Sequence, residues 1–471
     1  MTVQPSDALV LFGATGNLAY KQIFPALHQM ARRGELALPV IGVARGGTVE
    51  QLRERALQSI AAHGTVDPAA FERLAARLRY VSGDYGDAAT FDALRLALGS
   101  ARRPLFYLAI PPDAFGTVVT GLARSGCSNE ARIVVEKPFG RDLASARVLN
   151  ATIHQAFPEA DIYRIDHFLG KEPVQNLLYF RFANTFLEPI WNRDYVDDVL
   201  ITMSEAFDVQ DRGRFYEDVG ALRDVVQNHL LQILALLAMD RPSADDGDAI
   251  DAAKVALLQS VRPLSAADVV RGQYRGYRST DGVAPDSRTE TYVATRLAID
   301  NARWAGVPFW IRTGKCLAVT STEVRVRLKP PAHGLFDSEA AGRPNEFRFG
   351  LSPQVFIALS ALAKVPGEAM IGEGVRLVED DRPSDTVAPY DRLLGDALSG
   401  DHTLFGSQAG VEASWQIIDP VLALDLPAIE YECGSEGPGD AGPDGQRTSA
   451  PSVLAKRTGD ALRPVGQQHP V

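Results

Sequence analysis

Near its N-terminus the chain reads Ala8-Leu9-Val10-Leu11-Phe12-Gly13-Ala14-Thr15-Gly16-Asn17-Leu18-Ala19. The apolar residues predict a buried strand, the glycines a tight turn, and the apolar spacing from Ile23 to Met30 a helix. A strand, a glycine turn and a helix in this order are typical of a dinucleotide site. Gly13 permits the turn, and Gly16 lets the backbone approach a pyrophosphate at the helix N-terminus. The alternative is a plain strand-to-helix connection.

The end of the next predicted strand bears on the cofactor. Residues 38–44 are apolar enough for a strand, and Arg45 follows them. An NAD site usually places an acidic residue here to bind the ribose 2′-hydroxyl, whereas a positive charge suits the 2′-phosphate of NADP. Together with the glycine turn, Arg45 therefore predicts NADP as the cofactor. The alternative is a solvated arginine on a loop.

Two further apolar runs, residues 105–110 and 132–135, read as strands separated by helical stretches. Strands that alternate with helices predict an α/β, Rossmann-type, doubly wound parallel sheet for residues 1–165. Ligands bind beyond the carboxyl ends of the strands in such sheets. Lys137 stands at one of these ends, so we expect it to contact a ligand rather than solvent alone.

The composition limits the class of protein. The chain has 471 residues and a formal net charge of −11. Nucleic-acid binding usually needs a basic field, so this balance argues against it, and any phosphate must be held by local cations. No apolar run reaches the length of a membrane-spanning helix. Three cysteines without metal-like spacing indicate reduced thiols. We therefore expect a cytoplasmic protein without membrane or nucleic-acid partners.

One short stretch concentrates titratable groups. Arg164-Ile165-Asp166-His167-Phe168-Leu169-Gly170-Lys171-Glu172 holds an acid, an imidazole and an ammonium beside a glycine. If this stretch forms one helical turn, His167 and Lys171 point to the same side, next to the helix start that Glu172-Pro173 signals. Two donors able to carry positive charge would form a phosphate cradle there. The plainer alternative is an exposed lysine and a structural histidine.

A long helix is predicted from Val219 to Met239, because apolar residues recur there with helical spacing. Its run Arg223-Asp224-Val225-Val226-Gln227-Asn228-His229 is unusually polar, and buried polar groups need hydrogen-bond partners. A polyhydroxylated ligand would satisfy them; otherwise His229 is a buried structural histidine. Asp224 and His229 are five residues apart, about 140° around a helix of 3.6 residues per turn. We therefore expect Asp166, not Asp224, to orient His229.

The rest of the second half predicts a larger α+β domain over residues 166–435. Residues 287–299 and 323–328 alternate polar with apolar side chains, which is typical of antiparallel strands with one wet face. Glu205 and Lys315 each follow an apolar, strand-like run and are candidate ligand contacts. The last segment, residues 436–471, is rich in glycine, proline and aspartate and predicts a flexible tail.

Five motifs together resemble the glucose-6-phosphate dehydrogenase family. They are Gly13-Ala14-Thr15-Gly16-Asn17-Leu18-Ala19-Tyr20-Lys21, Glu136-Lys137-Pro138-Phe139-Gly140-Arg141-Asp142-Leu143, the stretch from Arg164 to Glu172, the run from Arg223 to His229, and Arg303 to Lys315. The motifs occur in the family's order and span roughly residues 8–435. The stretch around Asp166 and His167 is nearly diagnostic by itself.

The resemblance implies a Rossmann-type domain followed by an α+β domain whose mostly antiparallel sheet forms dimers, giving a homodimer or homotetramer. It also implies NADP-linked oxidation of D-glucose 6-phosphate at C1 to 6-phospho-D-glucono-1,5-lactone, the first step of the oxidative pentose phosphate pathway, without a metal. By position it assigns His229 as general base and Asp166 as its partner. The matched substrate contacts are Lys137, His167, Lys171, Glu205, Asp224 and Lys315, and the matched cofactor contacts are Thr15, Asn17, Arg45 and Lys137 beside the two glycines.

Several positions depart from the family pattern. Phe168 stands where tyrosine is usual, and Thr320 stands where a basic residue is common, so two donors to the phosphate are missing. Asn17 replaces an aspartate in the glycine turn, and Arg214 is a candidate to restore the missing positive charge. The sequence thus predicts intact catalytic residues with weaker phosphate binding.

Two other functions stay open at this point. The missing phosphate donors fit a dehydrogenase of an unphosphorylated sugar or polyol, although His167 and Lys171 argue against it. A protein that binds NADP without turnover would be a sensor, which the retained His229, Asp166 and Lys171 disfavour.

Overall fold

The computed structural model describes residues 4–332, 345–367, 370–380 and 387–438. In chain order, the strands are β1 (Ala8–Phe12), β2 (Val40–Ala44), β3 (Leu78–Ser82), β4 (Pro104–Leu108), β5 (Arg132–Glu136), β6 (Ile162–Ile165), β7 (Val196–Ser204), β8 (Val269–Tyr274), β9 (Tyr292–Leu297), β10 (Phe309–Gly314), β11 (Ser321–Leu328), β12 (Glu346–Ser352), β13 (Phe356–Lys364), β14 (Gly372–Asp380), β15 (Phe405–Gly406) and β16 (Ala428–Tyr431).

The α-helices are α1 (Phe24–Arg33), α2 (Val49–His63), α3 (Pro68–Arg77), α4 (Ala88–Leu98), α5 (Phe115–Arg124), α6 (Leu143–His154), α7 (Glu172–Ala183), α8 (Gly213–Ala221), α9 (Leu231–Ala238), α10 (Gly247–Ser260), α11 (Pro389–Ser399) and α12 (Gln408–Leu422). Two π-helical segments, Ala19–Ile23 and Leu222–Leu230, precede α1 and α9. Short 3-10 turns occur at Pro112–Ala114, Glu159–Asp161, Gln210–Arg212, Ala266–Asp268 and Tyr277–Ser279.

The first sheet confirms the predicted doubly wound architecture. Its order is β15-β6-β5-β4-β1-β2-β3, and the pairs from β6 to β3 are parallel. Along β1, Val10 and Phe12 face one apolar cluster while Leu9 and Leu11 face another. Apolar packing on both faces explains why these strands read as continuous apolar runs rather than as alternating ones.

The predicted division at residue 165 leaves out a part of this first unit. Strand β15 pairs antiparallel with β6, and helix α11 contributes Leu393, Leu394 and Ala397 to the cluster that packs on β1. Nothing in the local sequence of residues 389–406 indicates that this segment packs on the first sheet. The packing depends on contacts with strands more than 200 residues earlier.

The helix after the glycine turn differs from the regular helix that we expected. It passes through the π-helical segment before α1 begins. Pro25 is the second residue of α1 and lacks the N–H that a continuous α-helix would need at that point. The wider π turn accommodates the proline there, with Phe24 N–H bonded to Ala19 O.

The second sheet is mostly antiparallel, as predicted. Its order is β14-β13-β12-β11-β7-β10-β9-β8-β16, in which only the β7–β10 and β8–β16 pairs are parallel among the described strands. The strands expected within residues 287–299 and 323–328 are β9 and β11. The β7–β10 pair matters for the site, since the carboxyl ends of two parallel neighbours lie side by side.

The first residues of the predicted tail pack against the second sheet. Glu436 Oε2 lies 3.1 Å from Arg312 Nη2, and Pro438 lies against Gly272. The remainder of the predicted tail, residues 439–471, is outside the described residues. In the described parts of the chain, no helix combines the length and apolar character needed to cross a membrane.

Candidate active site

A histidine–carboxylate pair lies at the end of β6. Asp166 Oδ1 is 2.5 Å from His229 Nδ1 and also accepts a hydrogen bond from Phe168 N at 3.0 Å. Both Asp166 and His229 are buried. The structure therefore contains the contact between them that the sequence predicts. Because Nδ1 donates to the carboxylate, the Nε2 atom of a neutral His229 carries the lone pair and is free to accept a proton.

The charge state of this pair follows from its surroundings. Burial alone would raise the pKa of the Asp166 carboxyl, but the facing His229 holds it well below its usual value. Burial lowers the pKa of His229, against the opposing effect of Asp166. We therefore assign an ionised Asp166 and a neutral His229 at neutral pH, which is the state that a general base requires.

The helix that carries His229 is not the regular α-helix that the sequence predicts. Residues Leu222–Leu230 are π-helical, with hydrogen bonds from residue i to i+5. Residues five apart are therefore neighbours, so Asp224 and His229 lie on the same side of the helix, and the predicted 140° separation is wrong. Each affects the pKa of the other, although Asp166 is the one bonded to the His229 ring.

Two lysine–carboxylate contacts border this pair. Lys137, just beyond β5, donates from Nζ to Asp224 O at 2.8 Å and lies 3.3 Å from Asp224 Oδ1. Lys315 Nζ lies 2.5 Å from Glu205 Oε2. Glu205 and Lys315 directly follow the parallel strands β7 and β10, which explains why they meet. Lys137 and Lys315 together lower the pKa of Asp224, whose burial acts in the opposite direction.

His167 and Lys171 come together in a different way from the one we expected. The segment forms two successive turns, in which Leu169 N bonds to Asp166 O and Lys171 N to Phe168 O. The predicted single helical turn is therefore wrong, whereas the helix start at Glu172 is confirmed.

Phe168 lies between His229 and Lys171 and contacts both. Its ring stacks on that of His229 with centroids 4.3 Å apart, and Lys171 Nζ lies 3.6 Å from its centroid. Burial lowers the pKa of His167 to about 3, so this side chain is neutral, and Lys171 supplies the positive charge. The pKa of Lys171 is itself lowered by burial.

The positions that depart from the family pattern have structural roles. Thr320 Oγ1 accepts a hydrogen bond from Ala206 N at 2.9 Å, so its hydroxyl braces the Glu205 loop. Arg214 is exposed. Arg212, which the sequence did not single out, lies close enough to lower the pKa of Asp224. The structure thus favours Arg212 over Arg214 as an additional cation near the site.

The buried carboxyl group of Glu136 is bonded by two tyrosines next to the site. The sequence did not predict this arrangement. Tyr107 OH donates to Glu136 Oε1 at 2.6 Å, and Tyr390 also bonds to this carboxyl. Burial raises the pKa of Glu136 to about 7. The Tyr390 ring is nearly parallel to His167, with centroids 6.3 Å apart. Glu136 is part of a motif that can be recognised in the sequence. Tyr390 lies on α11, and nothing in the local sequence indicates that this residue contacts Glu136.

The glycine turn forms an open cradle beyond β1. Gly13 has φ of +79°, and a Cβ there would lie 2.2 Å from Ala109 O, so only glycine fits. Gly16 N bonds to Gly13 O at 2.8 Å and closes the turn. Thr15 and Asn17 are exposed on it. The turn lies at the same end of the sheet as Lys137, since both follow parallel strands, and sheets of this kind bind ligands at that end.

Arg45 lies at the end of β2, next to this cradle. Its side chain is 78% exposed and its Nε is 2.9 Å from Asp84 Oδ2. An exposed pair of this kind is weak and exchanges readily. Arg45 can therefore leave Asp84 at little cost, which suits a residue that receives a ligand.

Three side chains of the site include atoms that metals bind. The candidate ligand atoms of Asp166, His167 and His229 lie within 4.8 Å of one another. Asp166 and His229 are hydrogen-bonded to each other, and proton transfer to a histidine base needs no Lewis acid. The absence of a metal stays a prediction.

Comparison with known proteins gives consistent matches over both halves of the chain. The family model described as "Glucose-6-phosphate dehydrogenase, NAD binding domain" matches residues 10–176, and that described as "Glucose-6-phosphate dehydrogenase, C-terminal domain" matches residues 178–447. Glucose-6-phosphate 1-dehydrogenase 1 from Mycobacterium tuberculosis is 44% identical over 437 residues, which is 92% of this chain and 93% of that protein.

Two solved structures are also similar. A glucose-6-phosphate 1-dehydrogenase from Mycobacterium avium matches with a TM-score of 0.87 and 45% identity, covering 93% of this chain and 96% of the other. A glucose-6-phosphate dehydrogenase in complex with its substrate glucose 6-phosphate matches with a TM-score of 0.86 and 32% identity, at the same coverage.

Proposed function

This chain belongs to the glucose-6-phosphate dehydrogenase family, and on that premise we propose how its residues act. The enzyme oxidises D-glucose 6-phosphate at C1 to 6-phospho-D-glucono-1,5-lactone, the first step of the oxidative pentose phosphate pathway. The observation that supports the proposed mechanism best is the buried pair of Asp166 and His229, joined at 2.5 Å.

His229 acts as the general base. Its Nε2 takes the proton of the C1 hydroxyl, and Asp166 stabilises the resulting imidazolium through Nδ1. The lowered pKa of His229 keeps the ring neutral before the proton arrives. A nicotinamide cofactor, when bound, accepts the hydride that leaves C1. Phe168, stacked on His229, fixes the plane of the ring and shields it from water.

Four further side chains bind the sugar. Glu205 and Asp224 present carboxylate oxygens to hydroxyl donors, and Lys137 and Lys315 present ammonium donors to hydroxyl oxygens. In the structure these groups neutralise one another in pairs. Neighbouring opposite charges allow each group to bond a neutral polyol without leaving an uncompensated buried charge.

His167 and Lys171 bind the 6-phosphate. Lys171 carries the charge, and the neutral His167 donates one ring N–H. Phe168 holds the Lys171 ammonium over its ring in place of the missing tyrosine hydroxyl. These residues and the family assignment favour a phosphorylated sugar over the unphosphorylated substrate that the departures left open. Retained catalytic groups likewise argue against a silent sensor.

Replacing Lys171 separates the phosphate contact from the rest of the site. We expect Lys171→Gln to lower kcat/KM for glucose 6-phosphate roughly 10- to 150-fold, because a hydrogen bond to a charged group contributes about 1.5–3 kcal/mol. The rate with glucose should be unchanged. Steady-state absorbance at 340 nm with both sugars measures this, and Lys364→Gln, an exposed lysine on β13, is the control. An equal loss on both sugars would contradict a phosphate contact.

We propose NADP as the preferred nicotinamide cofactor. The glycine turn leads into a helix, and a helix N-terminus favours a pyrophosphate. The exposed Thr15 and Asn17 add donors beside it. Arg45 supports the choice of NADP over NAD, since its guanidinium is exposed at the end of β2 and is paired there with Asp84, which is itself exposed.

The Arg45 contact gives a second test. We expect Arg45→Ala to lower kcat/KM for NADP roughly 10- to 150-fold, from the loss of a charge-assisted contact to phosphate, and to leave NAD kinetics nearly unchanged. Asp84→Asn is the matched control: it removes the partner of Arg45 but keeps the arginine, so NADP kinetics should be retained. Equal effects on both cofactors would rule out a 2′-phosphate contact.

We propose that the second sheet forms a homodimer, or pairs of dimers in a homotetramer. The support is apolar exposure on its outer strands, where Leu362, Leu377 and Val378 are 42%, 64% and 45% exposed.

The reduced cysteines support a cytoplasmic location, which cell fractionation would test.

The mass of the protein in solution gives its oligomeric state directly. Light scattering should give two or four times the chain mass of 50.9 kDa, and Leu377→Glu should shift the population towards the monomer by burying a charge in the interface. Leu96→Glu, at an even more exposed position on α4, should not. A wild-type protein of single-chain mass would contradict the proposal.

A further inference from the structure

Two of the three cysteines meet beside the sugar-binding lysine, and we propose that Cys316 and Cys433 form a reversible disulfide that acts on Lys315. Cys316 directly follows Lys315, beyond β10, and Cys433 lies two residues after the end of β16. The two thiols are within hydrogen-bonding range of each other. The third cysteine, Cys127, is buried in the core of the first unit.

Backbone pairing brings the segments that carry the two cysteines side by side. Gly434 N donates to Cys316 O at 2.7 Å, and Ala318 N donates to Ser435 O at 2.8 Å. Leu317 and Ser435 form a parallel β-bridge. This pairing sets Cys316 opposite Gly434, so Cys433 is its diagonal neighbour. With a rise of about 3.3 Å per residue and paired chains about 4.8 Å apart, diagonal Cα atoms are about 6 Å apart, which is within the separation that a disulfide spans.

The two thiols differ in access. Cys433 is exposed and Cys316 is buried. Burial and the neighbouring Cys433 raise the pKa of Cys316 to about 12, whereas Lys315 acts in the opposite direction. Cys433 is therefore the thiol that an oxidant reaches first. Lys315, the residue before Cys316, favours the Cys316 thiolate that completes the reaction.

The reaction requires a peroxide as oxidant. The Cys433 thiolate attacks the peroxide oxygen, which gives a sulfenic acid and releases an alcohol or water. The Cys316 thiolate then attacks the Cys433 sulfur, the S–S bond forms, and the sulfenic oxygen leaves as water. Two thiols lose two electrons and two protons in total, and the peroxide gains both. A dithiol reductant reverses the process.

The disulfide would act on the part of the site that binds the sugar, namely Lys315 and Glu205. Tyr431 OH donates to Lys315 O at 2.6 Å, and Leu317 N bonds to Glu205 O at 3.0 Å. Cys316 has φ of +53°, an uncommon conformation for a residue with a side chain. A covalent bond holds two sulfur atoms closer than a thiol contact does, so it draws this strained loop towards Cys433. Lys315 and Glu205 then shift relative to His229.

The test uses the full-length enzyme treated with hydrogen peroxide. Trypsin should yield residues 316–325 linked to residues 393–447, and dithiothreitol should release them, while the Cys127 peptide stays reduced. We expect the KM for glucose 6-phosphate to rise severalfold on oxidation and to recover on reduction. Cys433→Ser, which lies outside the binding residues, should show neither the link nor the change in KM.

Failure of this inference is distinguishable from failure of the proposed function. The kinetic part rests on the proposed function, since it reads KM for the sugar phosphate, but the peptide link is measured without activity. Absence of the linked peptides in peroxide-treated wild type overturns the disulfide. Linked peptides with an unchanged KM, or an equal change in Cys433→Ser, overturn its action on Lys315.

Discussion

His229→Asn lowers kcat for glucose 6-phosphate about 10²- to 10⁴-fold, the contribution expected of a positioned general base. Asparagine keeps a polar side chain of similar reach but has no basic nitrogen, so the C1 hydroxyl proton has no acceptor. The KM for the sugar changes far less, because Glu205, Asp224 and the lysines still bind it. Initial rates of NADPH formation over a range of sugar concentrations measure both constants.

Two controls make this result specific. His154→Asn removes an exposed histidine from α6 and should leave both constants unchanged. His167→Asn removes the phosphate-side imidazole and should raise KM more than it lowers kcat. A His229→Asn enzyme that keeps more than about a tenth of the wild-type kcat, well short of the loss expected from removing a general base, would show that the proton leaves by another route.

Asp166→Asn produces the second large loss, about 10²- to 10⁴-fold in kcat. The amide cannot stabilise the imidazolium as the carboxylate does, and it leaves the tautomer of His229 less well defined. The pH profile adds an independent readout. In the wild type, kcat/KM falls as pH drops through the pKa of His229, which burial keeps below 6.5.

The direction of the shift in the variant follows from the sign of the interaction. The charge of Asp166 raises the pKa of His229, so its removal lowers that pKa further. The acid limb of kcat/KM should therefore move to lower pH in Asp166→Asn, even as the maximal rate falls. A limb that moves to higher pH, or a kcat equal to wild type, would contradict the assigned roles of the pair.

Local patterns in the sequence were enough to predict much of the fold. A strand followed by Gly13 and Gly16 indicated the doubly wound sheet, because only a few backbone geometries accommodate that order of residues. The titratable stretch around Asp166 indicated a site, because so many ionisable groups rarely serve a core. The contact between Asp166 and His229 was also expected, although part of the reasoning assumed a regular helix.

Other features depend on contacts between distant segments and could not be predicted. Glu205 and Lys315 each looked like the end of a strand, but their ion pair exists only because β7 and β10 are parallel neighbours. Tyr390 reaches Glu136 from a helix more than 250 residues later. The π-helical segment that aligns Asp224 with His229 is only nine residues long. In so short a run, the spacing of apolar residues does not distinguish a π-helix from an α-helix. Such features are set by packing rather than by propensity.

The most direct test of the central claim compares two sugars in the wild-type enzyme. With NADP, the formation of NADPH from glucose 6-phosphate and from glucose is followed at 340 nm over a range of concentrations. We expect kcat/KM to be at least about tenfold higher for the phosphorylated sugar, from the Lys171 contact alone. Equal values for the two sugars would contradict it and would support a dehydrogenase of unphosphorylated sugars.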